Sequence, residues 1–327
     1  MESKMEAEGD YHVSFTMDQQ VEIQTHFREK GYVVVRGLLS KEECKATLDE
    51  MNEEMRRVNA KFNLYDPLTF SEAPIINNFG LHTKRPVFTP AFLHNRQNPG
   101  IVSVFKLLLE EEHILVNHDR CAFYRPTQKN PEWKTAYTFP GLHLDFHPSS
   151  YFNHKELVQK REMLDYKTTD DFIAENNLFC ETDKLEVQAV LNLMDNKEED
   201  GGYQCTPGFH KGFAAWWNEK KETEREEKIL QEGVYHFSRT DKIDMRYVGS
   251  PIRVPVPEGA VIFWSQFLAH GTRPNNSNQP RCIQFLKAFP QRIFSKERLK
   301  RRGAALKKLC KTANFIPSKT GRSVFGF

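Results

Sequence analysis

The sequence predicts one sheet-based domain with flanking helices. Helix-start signals occupy the N-terminal part of the chain, short β-branched and aromatic runs follow from about residue 119, and a basic helical pattern comes last. This order is typical of helices packed around a central sheet, because an apolar sheet face has to be covered. We expect a flexible tail over residues 1–15 and a single domain over residues 16–327. Within it we expect helices to about residue 118, a strand-rich core over 119–290 and a basic helix over 294–311.

Two capping boxes mark the N-terminal helices. In such a box, a Ser or Thr and a Glu or Gln three residues later satisfy each other's backbone N–H groups. Thr16 with Gln19 predicts a helix that ends near Gly31, and glycine is a common residue at that position. Ser40–Glu43 predicts a second helix, which ends at about Arg57.

Short β-branched and aromatic runs predict the strands. These runs are Tyr32–Val35, Arg120–Tyr124, Gly141–Phe146, Leu185–Met194, Ile252–Val256, Ala260–Trp264 and Cys282–Lys287. Pro257–Gly259 predicts a turn between two of them. The stretch 58–100 has no clean periodicity, Phe105–Leu109 predicts part of a helix, and the charged segment Trp216–Glu227 predicts an exposed helix.

The composition is that of an ordinary globular protein. The 327 residues are 39% hydrophobic and 28% charged, and the formal net charge of +2 gives no reason to expect nucleic acid binding. The chain has no apolar run of about 18 residues, the length that spans a bilayer, and its first residues contain no apolar signal region. Six cysteines without a C-x-x-C pair predict reduced thiols and a cytoplasmic location.

His143, Leu144 and Asp145 form an H-x-D triplet in a predicted strand. Residues i and i+2 of a strand point to the same face, so the imidazole of His143 and the carboxylate of Asp145 can bind one metal ion. His270 follows the strand Ala260–Trp264 and is the best candidate for the third ligand. Two histidines and one carboxylate on one face of iron(II) leave positions open for a chelating keto acid and oxygen. The alternative for His143 is a hydrogen-bonded strand histidine without a metal.

Arg281 adds a cation that fits this site. It lies eleven residues after His270, at the start of the next strand, across a turn that contains Pro280. If the two strands are antiparallel neighbours, the guanidinium lies beside the metal. There it can bind the distal carboxylate of 2-oxoglutarate through two hydrogen bonds. The alternative for Arg281 is a surface ion pair.

Several motifs in a fixed order resemble the phytanoyl-CoA dioxygenase family of iron(II)- and 2-oxoglutarate-dependent oxygenases. The similarity covers roughly residues 16–290. The similar segments are Gly31–Leu39, His143–Asp145, Gly201-Gly202 with Pro207–Lys211, and Glu258–Trp264 followed by His270, Asn275 and Arg281. The ordered set is more specific than any one of its members.

The resemblance implies a mainly β fold, a double-stranded β-helix or jelly roll of the cupin type, with flanking α-helices. It implies Fe(II) near one open end of the fold, held by His143, Asp145 and His270. 2-Oxoglutarate and O2 are then the cosubstrates, and ascorbate is an expected stimulant.

The resemblance also implies which residues bind the cosubstrate. Thr272 is expected to donate its hydroxyl to the carboxylate that Arg281 binds. Arg125 precedes a proline, where the family often has a basic residue. The strand around Asn192 lacks the tryptophan that is common there, so Asn192 is expected to supply a polar contact instead.

The implied activity is hydroxylation of an unactivated C–H bond of a small substrate, with release of succinate and CO2. Halogenating relatives replace the carboxylate of Asp145 with a small residue, so its presence favours hydroxylation; desaturation and ring closure stay open. The substrate is expected to be a small molecule, with an anionic or coenzyme A-linked group among the options. Two alternatives remain, a non-catalytic jelly-roll binding protein and a metal-dependent hydrolase that uses His143, Asp145 and His147.

Three other features have competing interpretations. Trp216 and Trp217 either line a substrate entrance or anchor a helix to the core. The basic residues of 295–311 either attract an anionic partner or form the solvated face of a docked helix, and the solvated face is favoured. His210 is expected to support the turn that precedes it.

Overall fold

The computed structural model describes residues 13–77, 79–133, 141–149, 155–177, 187–221 and 233–327. Its α-helices are α1 Gln20–Lys30, α2 Lys41–Val58, α3 Pro90–Arg96, α4 Pro99–Leu109, α5 Lys155–Glu162, α6 Asp170–Asn177, α7 Phe209–Lys220, α8 Lys242–Val248, α9 Lys296–Thr312 and α10 Lys319–Phe325. Short 3-10 helices span Pro67–Glu72, Pro131–Trp133 and Gln291–Ile293. The strands are β1 Tyr32–Val35, β2 Ile114–Val116, β3 Cys121–Tyr124, β4 Leu142–Leu144, β5 Val187–Asn192, β6 Gly202–Cys205, β7 Tyr235–His236, β8 Ile252–Arg253, β9 Val261–Ser265, β10 His270–Arg273 and β11 Arg281–Pro290.

The ends of α1 and α2 test the capping predictions. Ser40 and Glu43 form the predicted box, in which the Ser40 hydroxyl accepts from the Glu43 N–H and the Glu43 carboxylate accepts from the Ser40 N–H at 2.8 Å. Gly31 ends α1 as predicted, at a φ of +81° that favours glycine. The predicted start of α1 is wrong by one turn, because Thr16 and Gln19 close a turn that precedes the helix.

The stretch 58–100, for which the sequence predicts no element, contains α3 and the first two residues of α4. Each of these helices begins with a proline, whose missing N–H costs nothing at that position. The Asn98 side chain caps α4 by accepting from the N–H groups of Gly100 and Ile101. The predicted helical segment Phe105–Leu109 is the C-terminal half of α4.

All seven predicted strand runs contain a strand, and most of those strands are shorter than the run. The first two residues of the run Leu185–Met194 lie outside the described residues. Four strands were not predicted: β2, β6, β7 and β10. They have two to four residues each, and β6 and β10 are rich in glycine and polar residues. Such short polar runs give no periodic signal.

The strands form two antiparallel sheets. The first sheet has the order β1-β9-β5-β11-β2, with β3 also paired to β11, and the second has the order β7-β4-β10-β6-β8. The ten residues of β11 pair with β3 near one end and with β2 near the other. This arrangement confirms the predicted sheet-based jelly roll with flanking helices, although helices contain more of the described residues than strands do.

The first sheet is buried on both faces. In β1, Val33 and Val35 pack in the same apolar cluster as the α2 residues Met51 and Met55. Tyr32 and Val34 belong to the cluster that contains the strands of the second sheet. Because both faces are covered, β1 is a continuous apolar run and does not alternate with polar residues.

The helix that contains Trp216 and Trp217 is not the exposed helix predicted for Trp216–Glu227. It begins at Phe209, and both tryptophans are buried against aromatic residues of the second sheet's cluster. They therefore anchor α7 to the core, the second of the two interpretations. The residues of the prediction beyond position 221 lie outside the described residues.

The basic helix α9 differs from the solvated face predicted for it. Arg298 and Arg302 are completely buried and form ion pairs with the equally buried Glu175 of α6. Burial of a charge requires such a partner, because the desolvation cost is otherwise too large. Arg298 and Arg302 therefore hold α9 against α6 and do not face water. In the described part of the chain, no helix is long and apolar enough to cross a bilayer.

Candidate functional site

β4 and β10 bring the predicted metal ligands together. His270 is the first residue of β10 and lies directly opposite His143 of β4 in the ladder. Their ring centroids are 4.5 Å apart. Asp145 follows β4, with Oδ1 3.3 Å from His143 Nε2 and Oδ2 3.5 Å from His270 Nε2. One ligand atom from each of the three residues lies within 4.8 Å of the other two.

The hydrogen bonding of His270 leaves its Nε2 available to a metal. Nδ1 lies 2.8 Å from the backbone oxygen of Leu268, which can only accept, so Nδ1 carries the proton. In the neutral ring, Nε2 then directs a lone pair toward the Asp145 carboxylate. Two acceptors that face each other at 3.5 Å fit a cation between them. The donor set of this cluster therefore fits a divalent metal such as iron(II).

The electrostatics of the cluster give ligands in their metal-binding states. Burial raises the pKa of Asp145, but the hydrogen bonds and positive charge that His143 and His270 supply when they are protonated outweigh burial and hold that pKa well below its usual value. Burial, together with the neighbouring His143, lowers the pKa of His270. The carboxylate is thus ionised and the His270 imidazole neutral at about pH 7, as metal binding requires.

Gln188 of β5 is a site residue that the sequence reasoning missed. Its Nε2 donates to Asp145 Oδ2 at 2.5 Å, so it holds the carboxylate from the opposite sheet. The side chain lines the same cavity as the metal cluster. An isolated glutamine in an apolar strand carries no motif, and its role depends on the pairing of two sheets.

His147 does not join the metal cluster. β4 ends at Leu144, so the alternation of faces that predicted a third ligand does not continue to His147. Its Nδ1 lies 2.6 Å from Ser149 Oγ, and its ring packs edge-on against Trp217. The ligand group found in the described residues contains His270 in its place. The geometry therefore gives no support to the hydrolase alternative.

A cavity of about 400 Å³ lies between the two sheets and contains the metal cluster. Arg281 lines it, at the start of β11 and opposite Tyr124 of β3. The guanidinium lies over the Tyr124 ring, 4.8 Å from the centroid. Burial lowers the pKa of Arg281, and the contact with Tyr124 opposes this shift. An arginine stays charged even so.

The guanidinium of Arg281 fits a carboxylate ligand. The side chain is buried, and neither Nε nor Nη1 has a hydrogen-bond partner among the described residues. A buried cation with unsatisfied donors calls for an anion, and a carboxylate can accept two bonds from the guanidinium fork. Thr272 lies two residues after His270 on β10, lines the cavity, and contacts the hydroxyl of Tyr124, as Arg281 does. The residues present therefore fit 2-oxoglutarate.

Arg125 and Asn192 are not among the residues that line the cavity. The guanidinium of Arg125 lies over the ring of Trp133, 5.2 Å from its centroid. Asn192 is buried at the end of β5, where its Nδ2 lies 3.4 Å from the Val256 oxygen. The structure thus brings Arg281 and Thr272 together at the site and places the other two expected contacts elsewhere.

His210 contacts the C-terminal end of α1, with Nε2 3.1 Å from the backbone oxygen of Arg28. This contact is consistent with the structural role expected for it.

Comparison with known proteins agrees with this site. The phytanoyl-CoA dioxygenase (PhyH) family profile matches residues 27–283. A Dictyostelium discoideum protein named "Putative phytanoyl-CoA dioxygenase" is 33% identical over 294 residues, which cover 88% of this chain and 80% of that protein.

Two solved structures share the fold. The GlcNAc Inducible Gene 2 protein of Candida albicans has a TM-score of 0.58 at 16% identity, over 93% of this chain and 71% of that one. The "Putative Oxidoreductase from Salmonella typhimurium LT2" has a TM-score of 0.60 at 13% identity, over 96% of this chain and 85% of that one. The family match and the His-Asp-His cluster together show that the chain belongs to the phytanoyl-CoA dioxygenase family and is an iron(II)- and 2-oxoglutarate-dependent oxygenase.

Proposed function

We propose that this oxygenase hydroxylates an unactivated C–H bond of a small organic substrate. In the balanced reaction, R–H, O2 and 2-oxoglutarate give R–OH, succinate and CO2, so one oxygen atom enters the product and the other enters succinate. The supporting observation is a cluster of three ligand atoms within 4.8 Å of one another, on the same cavity as a buried guanidinium with unsatisfied donors.

In this proposal, His143, Asp145 and His270 hold the iron. β4 and β10 are paired neighbours, so the backbone ladder fixes the two histidines relative to each other. Gln188 holds one oxygen of Asp145 from the other sheet. When bound, the iron supplies the redox chemistry that the side chains lack.

Arg281 and Thr272 orient the keto acid. His270 and Thr272 occupy positions i and i+2 of β10 and therefore share a strand face. Arg281 approaches the same place from the first sheet. A 2-oxoglutarate whose distal carboxylate binds Arg281 can extend its keto acid end toward the metal cluster. The apolar side chains of Val190 and Ile283 also line the cavity.

We extend the proposal to the substrate and to the location of the protein. The substrate is a small molecule, and an anionic group on it would meet Arg120 and Lys287, two further cations that line the cavity. The five cysteines that the structure describes are free and buried, which supports a reducing, cytoplasmic location.

Titration of 2-oxoglutarate into protein loaded with Mn(II), which allows binding without turnover, tests the cosubstrate site. Arg281→Met removes a two-bond charged contact and should weaken binding about a hundredfold. The matched control is Arg273→Met, because Arg273 of β10 bonds Gln204 outside the cavity. Equal affinities for the two variants would contradict the proposed role of Arg281.

Mass spectrometry of products formed under isotopically labelled O2 tests the reaction type. Hydroxylation predicts a product that gains one labelled oxygen atom and succinate that gains the other. A product that instead lacks two hydrogen atoms would show desaturation or ring closure. No succinate release across a broad substrate panel, with iron and ascorbate present, would favour a binding protein.

A further inference from the structure

One row of side chains crosses the first sheet at the end of the cavity away from Arg281. Gln188 of β5 lies opposite Trp264 of β9 on one side and opposite Lys287 of β11 on the other. All three line the cavity. Lys287 is six residues beyond Arg281 on β11, which corresponds to about 20 Å along the same strand face. The row is thus separate from the proposed keto acid site, but through Gln188 it touches the metal ligand Asp145.

Two amide side chains at this end of the cavity are held in one orientation by carboxylates. Gln188 donates its Nε2 to Asp145, and Asn176 of α6 donates its Nδ2 to Asp119 Oδ2 at 2.9 Å. Because a carboxylate accepts and cannot donate when ionised, neither amide can flip without losing its bond. Lys287 connects this row of side chains to α6, because its Nζ donates a hydrogen bond to the backbone oxygen of Asn176 at 3.0 Å.

The fixed amides present two carbonyl oxygens without partners. Gln188 Oε1 and Asn176 Oδ1 are buried and have no hydrogen-bond partner among the described residues, and each residue is only 8% exposed. Both residues line the cavity. Buried acceptors without a partner are destabilising, so their natural partner is a ligand that carries donors.

Trp264 presents the opposite chemistry in the same row. Its indole Nε1 is buried, lacks a partner among the described residues, and can only donate. The ring packs 5.1 Å from His270, centroid to centroid. The row beside the metal therefore offers one donor next to two acceptors.

From these contacts we propose that the substrate is a small polar molecule whose hydroxyl or ammonium group donates to Gln188 and Asn176 and whose acceptor group binds Trp264. Amino acids, amides and polyols have this pattern of groups, and an apolar acyl chain does not. The proposal rests on the proposed function, because it places the substrate beside the metal that His143, Asp145 and His270 hold. A cavity of about 400 Å³ suits a molecule of that size.

The test uses the full chain loaded with Mn(II) and saturated with 2-oxoglutarate. The probes are the proteinogenic amino acids and short polyols, each paired with its N-trimethylated or O-methylated counterpart, which keeps the skeleton and removes the donor. Straight-chain fatty acids represent the apolar class. Thermal shifts select the binders, and calorimetric titration measures their affinities.

We expect the donor-bearing member of a pair to bind roughly tenfold more tightly than its methylated counterpart. Asn176→Leu should remove most of that preference while it retains 2-oxoglutarate binding, and that retention also reports a folded site. Trp264→Phe should weaken the same probes through loss of one donor, whereas the matched variant Trp217→Phe, a buried tryptophan outside the cavity, should not.

Three results would overturn the proposal: equal affinity within the pairs, tighter binding of fatty acids, or no probe bound by a protein that binds 2-oxoglutarate. Failure of the unmodified protein to bind 2-oxoglutarate would instead contradict the proposed function. The two failures are therefore distinguishable.

Discussion

Gln188 connects the two sheets at the metal cluster. Its amide holds one oxygen of Asp145 in place, so the other carboxylate oxygen faces His143. Loss of a residue that orients a metal ligand in this way typically weakens metal binding roughly 10- to 100-fold. The role of Gln188 can therefore be tested without the substrate.

Gln188→Met should weaken Mn(II) binding roughly 10- to 100-fold while the fold is retained, because the Asp145 carboxylate loses the hydrogen bond that the Gln188 amide donates to it. Competition with a metal-binding dye measures the affinity. Gln284→Met is the matched control, since Gln284 is a buried glutamine of β11 that bonds Phe92 and Asn95 away from the site. An unchanged affinity in Gln188→Met would refute the orienting role.

Gly202 gives Arg281 the space to lie in the cavity. Its φ is +103°, and a Cβ there would lie 2.9 Å from Arg281 Nε and 2.6 Å from Asn196 Oδ1. Gly202→Ala should therefore displace the guanidinium and weaken 2-oxoglutarate binding, and backbone strain should lower the free energy of unfolding by about 1–3 kcal/mol.

Gly37→Ala separates these two effects. Gly37 also has a positive φ, of +71°, but nothing lies within 4 Å of its added Cβ. This variant should lose stability and keep its 2-oxoglutarate affinity, as titration and chemical denaturation can measure. If both alanine variants bind 2-oxoglutarate equally well, Gly202 does not shape the arginine site.

At the scale of elements, α9 is held to α6 by a buried ion triad. Glu175 receives hydrogen bonds from Arg298 and Arg302, and all three side chains are at most 1% exposed. Glu175→Gln removes the carboxylate that pairs with both buried guanidinium groups. The free energy of unfolding should fall by about 3–5 kcal/mol.

The exposed pair Arg28–Glu110 provides the control for the triad, because both of its side chains are more than half exposed. Glu110→Gln should cost less than about 1 kcal/mol. Urea denaturation of the two variants measures both values. A cost for Glu175→Gln no larger than that of Glu110→Gln would show that the triad does not dock α9.

The segment between β2 and β3 contains a histidine buried among phenylalanines. His118 stacks on Phe88 at 5.2 Å and also contacts Phe172 and Phe325. Burial, with Arg96 and Arg302 nearby, lowers its pKa well below 6.5. The folded protein therefore keeps this ring neutral at a pH where the unfolded chain binds a proton.

The stability that His118 contributes is present above pH 6.5 and declines as the pH falls below that value. The slope is about 1.4 kcal/mol per pH unit for one proton. His118→Phe should remove that share of the pH dependence, measured as the free energy of unfolding of both proteins from neutral to mildly acidic pH. Parallel pH profiles would show that His118 is not kept neutral by the fold.

At the scale of the whole molecule, the sequence predicted what depends on local or strictly alternating patterns. The Ser40–Glu43 box, the stop at Gly31 and the apolar runs depend on neighbours within a few residues, and the structure contains all of them. The H-x-D triplet followed from strand alternation. His270 and Arg281 were found through their order along the chain, and the sheets bring both to one cavity.

The features that the sequence did not predict depend on contacts between residues that lie far apart along the chain. Gln188 gains its role only when β5 faces the loop after β4, and the burial of Arg298 requires Glu175 from another helix. The expected contacts of Arg125 and Asn192 came from the resemblance alone, and the structure places neither in the cavity. A single sequence contains no signal for such pairings.

One metal ion and one keto acid are proposed to share the cavity between the two sheets. A crystal structure of the protein with Mn(II) and 2-oxoglutarate, with anomalous scattering used to locate the metal, tests it most directly. We expect one strong peak bonded to His143 Nε2, the Asp145 carboxylate and His270 Nε2, with the distal carboxylate of 2-oxoglutarate on Arg281. A peak bonded to other residues, or a keto acid that leaves Arg281 without contact, would contradict it.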